Sequence, residues 1–450
     1  MKFEIDNQTK KDLEIFDTYK TKRSVLGLFN HTECVGGKQK LYKFLSTPLS
    51  DLNKINERKD AIEFLQQAFP SGFNLDKNAL DFTEYYFRQG NYPTRAPSWF
   101  GAIERKFMDK ISPGHEYYLV EKGVSSTVDL LKMFYRFALK LADKLKVANP
   151  PKLLFENDQK IQEIFSKPEF KDVIDIKRVK AYDTARFDYL FRYTNKDDIF
   201  FLVNIIYEYD AFFAIAKGAQ LHKLSYPEVL PASDNELQLE GLFHPFIDDA
   251  VSNDVSFDRA SNLLFISGPN MAGKSTFLKA LGVAVYLAHV GFPVPAKAMR
   301  MSLLSGLCTT INISDDLSSG YSHFYAEVMR IKNVAERLQT NPNMLVIFDE
   351  LFRGTNVKDA FDGTLAVVSA FSQIKDSFFV ISTHIVEVAD ELKSKDNIQF
   401  GYFEIKEENG HPAYTYKLKN GVSTDRLGMY IIRREGLIEL INNINKVERQ

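Results

Sequence analysis

Gly268-Pro-Asn-Met-Ala-Gly-Lys-Ser-Thr276 is the stretch on which the reading of this chain turns. Gly268 and Gly273, followed directly by Lys274 and Ser275, fit the spacing G-x-x-x-x-G-K-[ST] in full. The chemistry explains the pattern. Glycines let the backbone wrap around an anion, and the N–H groups of the loop and of the following helix N-terminus point at it. Pro269, Asn270, Met271, Ala272 and Thr276 complete that cradle, Lys274 would neutralise β/γ-phosphate charge, and the Ser275 hydroxyl would ligate Mg²⁺. An apolar β-rich run at 263–266 precedes the loop and an amphipathic segment from 276 to 287 follows it. Strand, loop and helix in that order argue against an ordinary glycine-rich turn and predict a site for ATP with Mg²⁺.

Two further apolar runs end in polar residues. Leu345-Val-Ile-Phe-Asp349-Glu350 places two carboxylates at a strand terminus. There Asp349 would hold the metal and Glu350 would polarise the attacking water. A lone strand ending this way would be a solvated turn; beside a phosphate loop it reads as catalytic. Phe378-Phe-Val-Ile-Ser-Thr383-His384 is a third such strand, whose His384 could hydrogen-bond the γ-phosphate or its water. Asp315-Asp-Leu-Ser-Ser-Gly320-Tyr-Ser322 is a polar loop before a helix at 325–338, where Ser322 is either an N-cap or an anion donor.

Outward from these motifs the grammar is of two kinds. Apolar runs at 263–266, 345–348 and 378–381 alternate with helices, which predicts a mostly parallel sheet covered on both faces. Runs at 398–406 and 413–418 flank Glu408-Asn409-Gly410 and predict an antiparallel hairpin at its edge. Upstream, apolar residues recur at helical spacing, and long helices are expected from 125 to 145 and across 160–220. The fold class expected is an α/β P-loop NTPase domain preceded by an all-α domain. The expected divisions are a helical domain at 1–115, long lever-like helices at 116–230 and the ATPase domain at 231–450.

The 450 residues carry a formal net charge of −2, 45% hydrophobic and 26% charged side chains, an ordinary soluble composition. Two cysteines, Cys34 and Cys308, far apart and with no second Cys near either, argue against a disulfide framework or zinc site and suit a reducing cytoplasm. The N-terminus is charged from its second residue, and the apolar run taken as nearest to membrane length, 281–292, is too short to span. A cytoplasmic protein without membrane partners is expected.

Together and in this order, these elements resemble the MutS family of DNA mismatch-repair ATPases. The resemblance rests on Pro269-Asn270-Met271, on Asp315-Asp316…Gly320…Ser322…Phe324…Glu327, on Arg353-Gly354-Thr355, on Thr383-His384, and on Gly421…Ser423…Gly428. Upstream, Leu239-Glu-Gly-Leu-Phe-His244-Pro245 and the N-terminal Phe3-Glu-Ile-Asp6…Leu13-Glu14 and Gly36-Gly37-Lys38…Leu41 also fit. The Leu-Ser-Gly-Gly-Gln signature of ABC transporters, which share the nucleotide logic, is absent. The resemblance implies an ABC/MutS-like ATPase domain that pairs with a second copy, so that each site takes Ser322 in trans. It also implies coupling of nucleotide state to double-stranded DNA. It further suggests a form without the mismatch-reading and connector domains. The family's adenine-stacking aromatic precedes an Asn like Asn253, where this chain reads Asp249-Ala-Val-Ser252, so an adenine contact would come from elsewhere.

A DNA face is sought in Lys177, Arg178, Lys180, Arg186 and Arg192, and in Lys132, Arg136, Lys140 and Lys144 along one helix. A solvated helix surface is the competing reading. Against the DNA-binding function stands an ATP-switched clamp acting on a protein partner.

Overall fold

The computed structural model describes residues 2–17, 23–88, 115–269, 271–311, 323–352, 354–408, 411–423 and 434–441. It falls into two compact units. One comprises 1–27, 48–55 and 222–450; the other comprises 28–47 and 56–221.

Among the described residues the first unit has eleven strands: β1 (Glu4–Ile5), β2 (Glu228–Leu230), β3 (Leu237–Leu242), β4 (Asn253–Phe257), β5 (Leu263–Ser267), β6 (Ala298–Ser302), β7 (Gly306–Thr310), β8 (Met344–Asp349), β9 (Phe378–Thr383), β10 (Ile398–Glu408) and β11 (His411–Asn420). Seven of them form a sheet of order β1-β7-β8-β9-β5-β10-β11, parallel throughout except for the β10–β11 hairpin at one edge. β5, β7 and β9 are buried at every position, and β8 at all but its last. That is why these strands read as continuous apolar runs rather than as alternating ones. The register sets Ser267 beside Thr383 and Asp349 beside Ser382, so the ends of β5, β8 and β9 meet at one edge. In open parallel sheets, ligands bind outside that carboxyl edge. A second, four-stranded sheet, β2-β6-β3-β4, was not anticipated from the sequence.

The N-terminal residues, expected to open a helical domain, instead extend the sheet of this unit. β1 pairs in parallel with β7, and the short helix Asn7–Asp12 follows, with the Asp6 carboxylate capping Thr9 N–H at 2.8 Å. Thr9 Oγ1 accepts from Thr309 N at 3.0 Å. Asp12 is 2% exposed and accepts from Thr309 Oγ1 at 2.8 Å and from Ile311 N at 3.0 Å. A carboxylate this deep is tolerable only with its lone pairs satisfied, so the segment is tied firmly to the end of β7.

The second unit is helical: Val35–Ser46, Lys77–Arg88, His115–Lys144, Lys152–Ser166, Pro168–Asp175, Ala181–Tyr189 and Lys196–Leu221, with the body of Leu52–Ala68. Its core is aromatic, with Phe73, Phe134, Phe137, Tyr209 and Phe213 in mutual ring contact. Lys196–Leu221 corrects one expectation, because by length and composition it is apolar enough to cross a membrane, which the sequence reading had denied to every run. In the structure 67% of its most apolar window is buried, as befits the central helix of this core.

The expected basic face is also reduced here. Arg192 lies in a π-helical turn, Leu190–Thr194, and its side chain is 9% exposed. It pairs with Asp188 at 3.2 Å and lies 3.8 Å over the Tyr86 ring, while Tyr86 Oη donates to Asp188 at 2.5 Å. Arg186 pairs with Asp172 at 2.9 Å, and Lys132 donates to the Ile176 carbonyl. Arg192 and Lys132 thus hold helices together, while the Arg186 pair lies at the exposed surface.

Candidate functional site

β5 ends at Ser267 and the chain turns at once through Gly268, whose φ of +136° suits only glycine without strain; Gly273 repeats this at +109°. A Cβ on Gly273 would also stand 3.1 Å from Tyr416 Cδ1. The helix Lys274–Val290 starts there and is buried almost along its length. It ends at Gly291 (φ +75°), whose N–H and that of Phe292 return to the Ala288 and Leu287 carbonyls.

Lys274 is 4% exposed. Its Nζ donates to the Gly268 and Pro269 carbonyls at 2.7 and 2.9 Å and stands 3.9 Å from Glu350 Oε1. The loop therefore closes over its own ammonium, a buried cation that an anionic ligand would satisfy better than neutral carbonyls do. Beside it, Ser275 Oγ donates to Asp349 Oδ2 at 2.5 Å, and Ser382 Oγ donates to Asp349 Oδ1. A hydroxyl and a carboxylate in contact at a phosphate loop are a hard-oxygen donor pair. They fit Mg²⁺, which takes one or two protein oxygens and fills the rest of its shell from phosphate and water.

Glu350 is 9% exposed, and its N–H is held by Ser382 through O at 3.1 Å and Oγ at 3.3 Å. Its φ is +52°, and that of Phe352 is +62°. Left-handed backbone costs an L-residue about 1–2 kcal/mol, so two such positions in three residues store strain where the carboxylate is aimed.

A cavity of about 740 Å³ opens over these groups. Met271, Gly273, Lys274, Ser275, Thr276, Asp349 and Glu350 line it, and so do His244, Ile247, Phe403 and Tyr416. Burial, with Lys279 nearby, pushes the His244 imidazole down to about 4 against the opposing pull of Glu14, which leaves it neutral near pH 7. Tyr416 reaches the cavity by leaving the hairpin ladder. The β10–β11 register shifts between Phe403 and Ile405, Tyr416 takes a φ of +54°, and its ring is 46% exposed. Asn253 fixes that bulge, donating to Tyr416 O at 3.0 Å and accepting from Leu418 N at 2.8 Å.

Of the residues singled out from sequence, the structure brings Lys274 and Ser275, from the glycine loop that also holds Gly268, Pro269, Ala272 and Thr276, together with Asp349 and Glu350 at the end of β8. His384 follows the end of β9, exposed, and is not among the residues lining the cavity. Asn270, Ser322 and the rest of 312–322, Arg353, Asn409, Gly410 and Gly428 lie outside the described residues. Sequence reasoning missed Ser382 and Tyr416. Ser382 was in plain view in the third strand, one residue before the pair that drew attention. Tyr416 gave no signal, since a bulge has none in an alternating pattern.

Two family models match this chain. MutS domain V matches residues 264–450, which hold the phosphate loop and the strands β6 to β11, and MutS domain III matches residues 8–83. Among curated proteins, the DNA mismatch repair protein MutS of Petrotoga mobilis (strain DSM 10674 / SJ95) is 22% identical over 531 aligned residues, covering 99% of this chain and 64% of that protein. The DNA mismatch repair protein MutS of Shouchella clausii (strain KSM-K16) is 27% identical over 295, covering 63% of this chain and 31% of that protein. The chain thus spans less than two thirds of the length of either relative. With domain models of one family matched at both ends, over a parallel sheet that presents its phosphate loop and acidic strand end to one cavity, the chain belongs to the MutS family.

Proposed function

We propose that this protein binds ATP with Mg²⁺ and hydrolyses it, and that it uses the cycle to act on duplex DNA in mismatch repair or a related maintenance process. The observation that carries the reading is the lining of one cavity by Lys274, Ser275, Asp349 and Glu350. In this reading the loop from Gly268 to Thr276 cradles the phosphates, and Lys274 leaves the Gly268 and Pro269 carbonyls for the β/γ oxygens. Ser275 and Asp349 would hold Mg²⁺, which would supply charge neutralisation to the phosphates. Glu350 orients and deprotonates the attacking water, and His384 contacts the γ-phosphate once the site is closed. Tyr416 is the aromatic the sequence lacked before Asn253, and it offers its ring to the adenine.

Closure is assigned to a second copy, which contributes Ser322 to the site as the resemblance implies. Exposed apolar side chains suit such a face: Met271 in the loop is 75% exposed, and Tyr325, Val328 and Met329 are exposed on the helix His323–Thr340. DNA binding rests on the relatives' printed function and on the cations that remain uncommitted by the helical packing. Because Arg192 is buried within that packing, the alternative of an ATP-switched clamp on a protein partner retains a specific observation in its favour.

A gel shift with homoduplex, mismatched and branched DNA, with and without ATP and at two salt concentrations, tests the reading. Binding that weakens steeply with salt, together with DNA-stimulated ATP hydrolysis, is expected. No binding to any of the three and no stimulation would favour the protein clamp. Equal affinity for matched and mismatched duplex would keep the DNA and remove mismatch recognition.

A further inference from the structure

The turn that carries Glu350 holds its second left-handed side chain at Phe352, which is 5% exposed. A bulky aromatic keeps such a backbone only where its surroundings hold it. Two contacts do so here. The ring lies 5.6 Å, centroid to centroid, from Phe324 on the helix His323–Thr340. It also sits against Gly363 on the helix Val357–Phe371, where an added Cβ would come within 3.0 Å of Phe352 Cε2. The upstream end of the turn is fixed by Ser382, which takes the Glu350 N–H through O at 3.1 Å. The Phe352 ring fixes the downstream end.

We infer that Phe352 is a positioning residue for hydrolysis: seated between Phe324 and Gly363, it holds the strained turn that aims Glu350, and so makes the carboxylate sensitive to movement of the helix His323–Thr340. The inference rests on the reading of Glu350 as the group that activates water. Removing the ring leaves the left-handed turn free to relax, and Glu350 loses its aim while the phosphate loop and Asp349 stay in place. Phe352 is not among the residues lining the cavity, so binding and chemistry separate.

The test uses the full chain carrying Phe352→Ala or Phe352→Leu, each in the wild-type and the Glu350→Gln background. Single-turnover hydrolysis, affinity for a fluorescent ATP analogue and thermal melting are measured for each. Phe352→Ala is expected to slow hydrolysis at least ~10-fold with nucleotide affinity within about twofold of wild type, and Phe352→Leu, which keeps bulk, is expected to lose less. In the Glu350→Gln background the same change should alter the residual rate less than about twofold, since the group being aimed is already gone. A folded Phe352→Ala chain with wild-type turnover would overturn the inference. So would an equal loss in both backgrounds, or a parallel loss of nucleotide affinity. If Phe352→Ala fails to fold, Gly363→Ala, which crowds the ring without removing it, carries the same comparison. Normal turnover by Glu350→Gln itself would sink the underlying reading, and this inference with it, an outcome distinct from a failure at Phe352 alone.

Discussion

Replacing Ser382 by Ala removes one oxygen from the buried side of the acidic site. Its Oγ donates to Asp349 Oδ1, while Asp349 Oδ2 faces Ser275 Oγ at 2.5 Å. Ser382 is fully buried, so no bulk water stands ready to take over the lost hydrogen bond. A hydrogen bond to a charged group contributes about 1.5–3 kcal/mol, and partners behind a metal ligand change metal affinity by roughly 10- to 100-fold. The two scales agree, because each 1.36 kcal/mol is about tenfold. Ser382→Ala should therefore raise the Mg²⁺ concentration for half-maximal ATP hydrolysis by roughly 10- to 100-fold. The Glu350 N–H keeps the Ser382 carbonyl at 3.1 Å, so the turn itself survives. The assay is a Mg²⁺ titration of ATP hydrolysis, paired with nucleotide binding measured in EDTA. The expected outcome is a shifted Mg²⁺ dependence with metal-free nucleotide affinity unchanged. An unshifted Mg²⁺ curve from a folded variant would refute the claim that Ser382 orients Asp349 as a metal ligand.

Tyr416→Ala should weaken ATP by about 1–3 kcal/mol, the scale of base-on-aromatic stacking, and leave inorganic triphosphate affinity unchanged. Equal losses for both ligands would remove Tyr416 from the base site. Arg192→Ala strands Asp188, whose side chain is 2% exposed, and should lower unfolding free energy by about 3–5 kcal/mol in urea titrations. A loss under about 1 kcal/mol would mean the pair is not the lock we describe. Burial pushes His289 down to about 4 from its ordinary 6.5 despite its hydrogen bond to the Leu49 carbonyl. A depressed folded value means the unfolded chain binds the proton first. The contribution to stability is thus complete above the ordinary value and lost as pH falls toward the folded one. Between pH ~7.5 and ~5 this loss comes to about 2 kcal/mol, and His289→Gln should flatten that part of the urea-derived stability profile.

What the sequence made legible was local. The phosphate loop, the strands at β5, β8 and β9 and the terminal hairpin each carry their signal in one continuous stretch of chain. Apolar runs buried on both faces look the same in sequence as in the sheet. Long-range features were hidden. β1 is two residues long, and beyond its short ladder with β7 the segment is tied down by Thr9 and Asp12 of the following helix, bonded to Thr309 and Ile311 some three hundred positions away. Nothing in helical periodicity announces it. Arg192 looked like one more surface cation in a basic run. Only tertiary packing shows that Tyr86 and Asp188 enclose it. The residues gathered at the cavity could be picked out in the sequence, and what packs around them could not. Ser382, Tyr416 and Phe352 come to their places through register, a bulge and a left-handed turn, none of which leaves a motif.

The most direct test of the account compares ATP binding and hydrolysis in wild type, Lys274→Ala and Glu350→Gln. If the cavity lined by Lys274, Ser275, Asp349 and Glu350 is a hydrolytic nucleotide site, Lys274→Ala loses binding. Glu350→Gln should then bind ATP as wild type does and turn it over at least ~10²-fold more slowly. Wild-type turnover by Glu350→Gln, or undiminished ATP binding by Lys274→Ala, would contradict it.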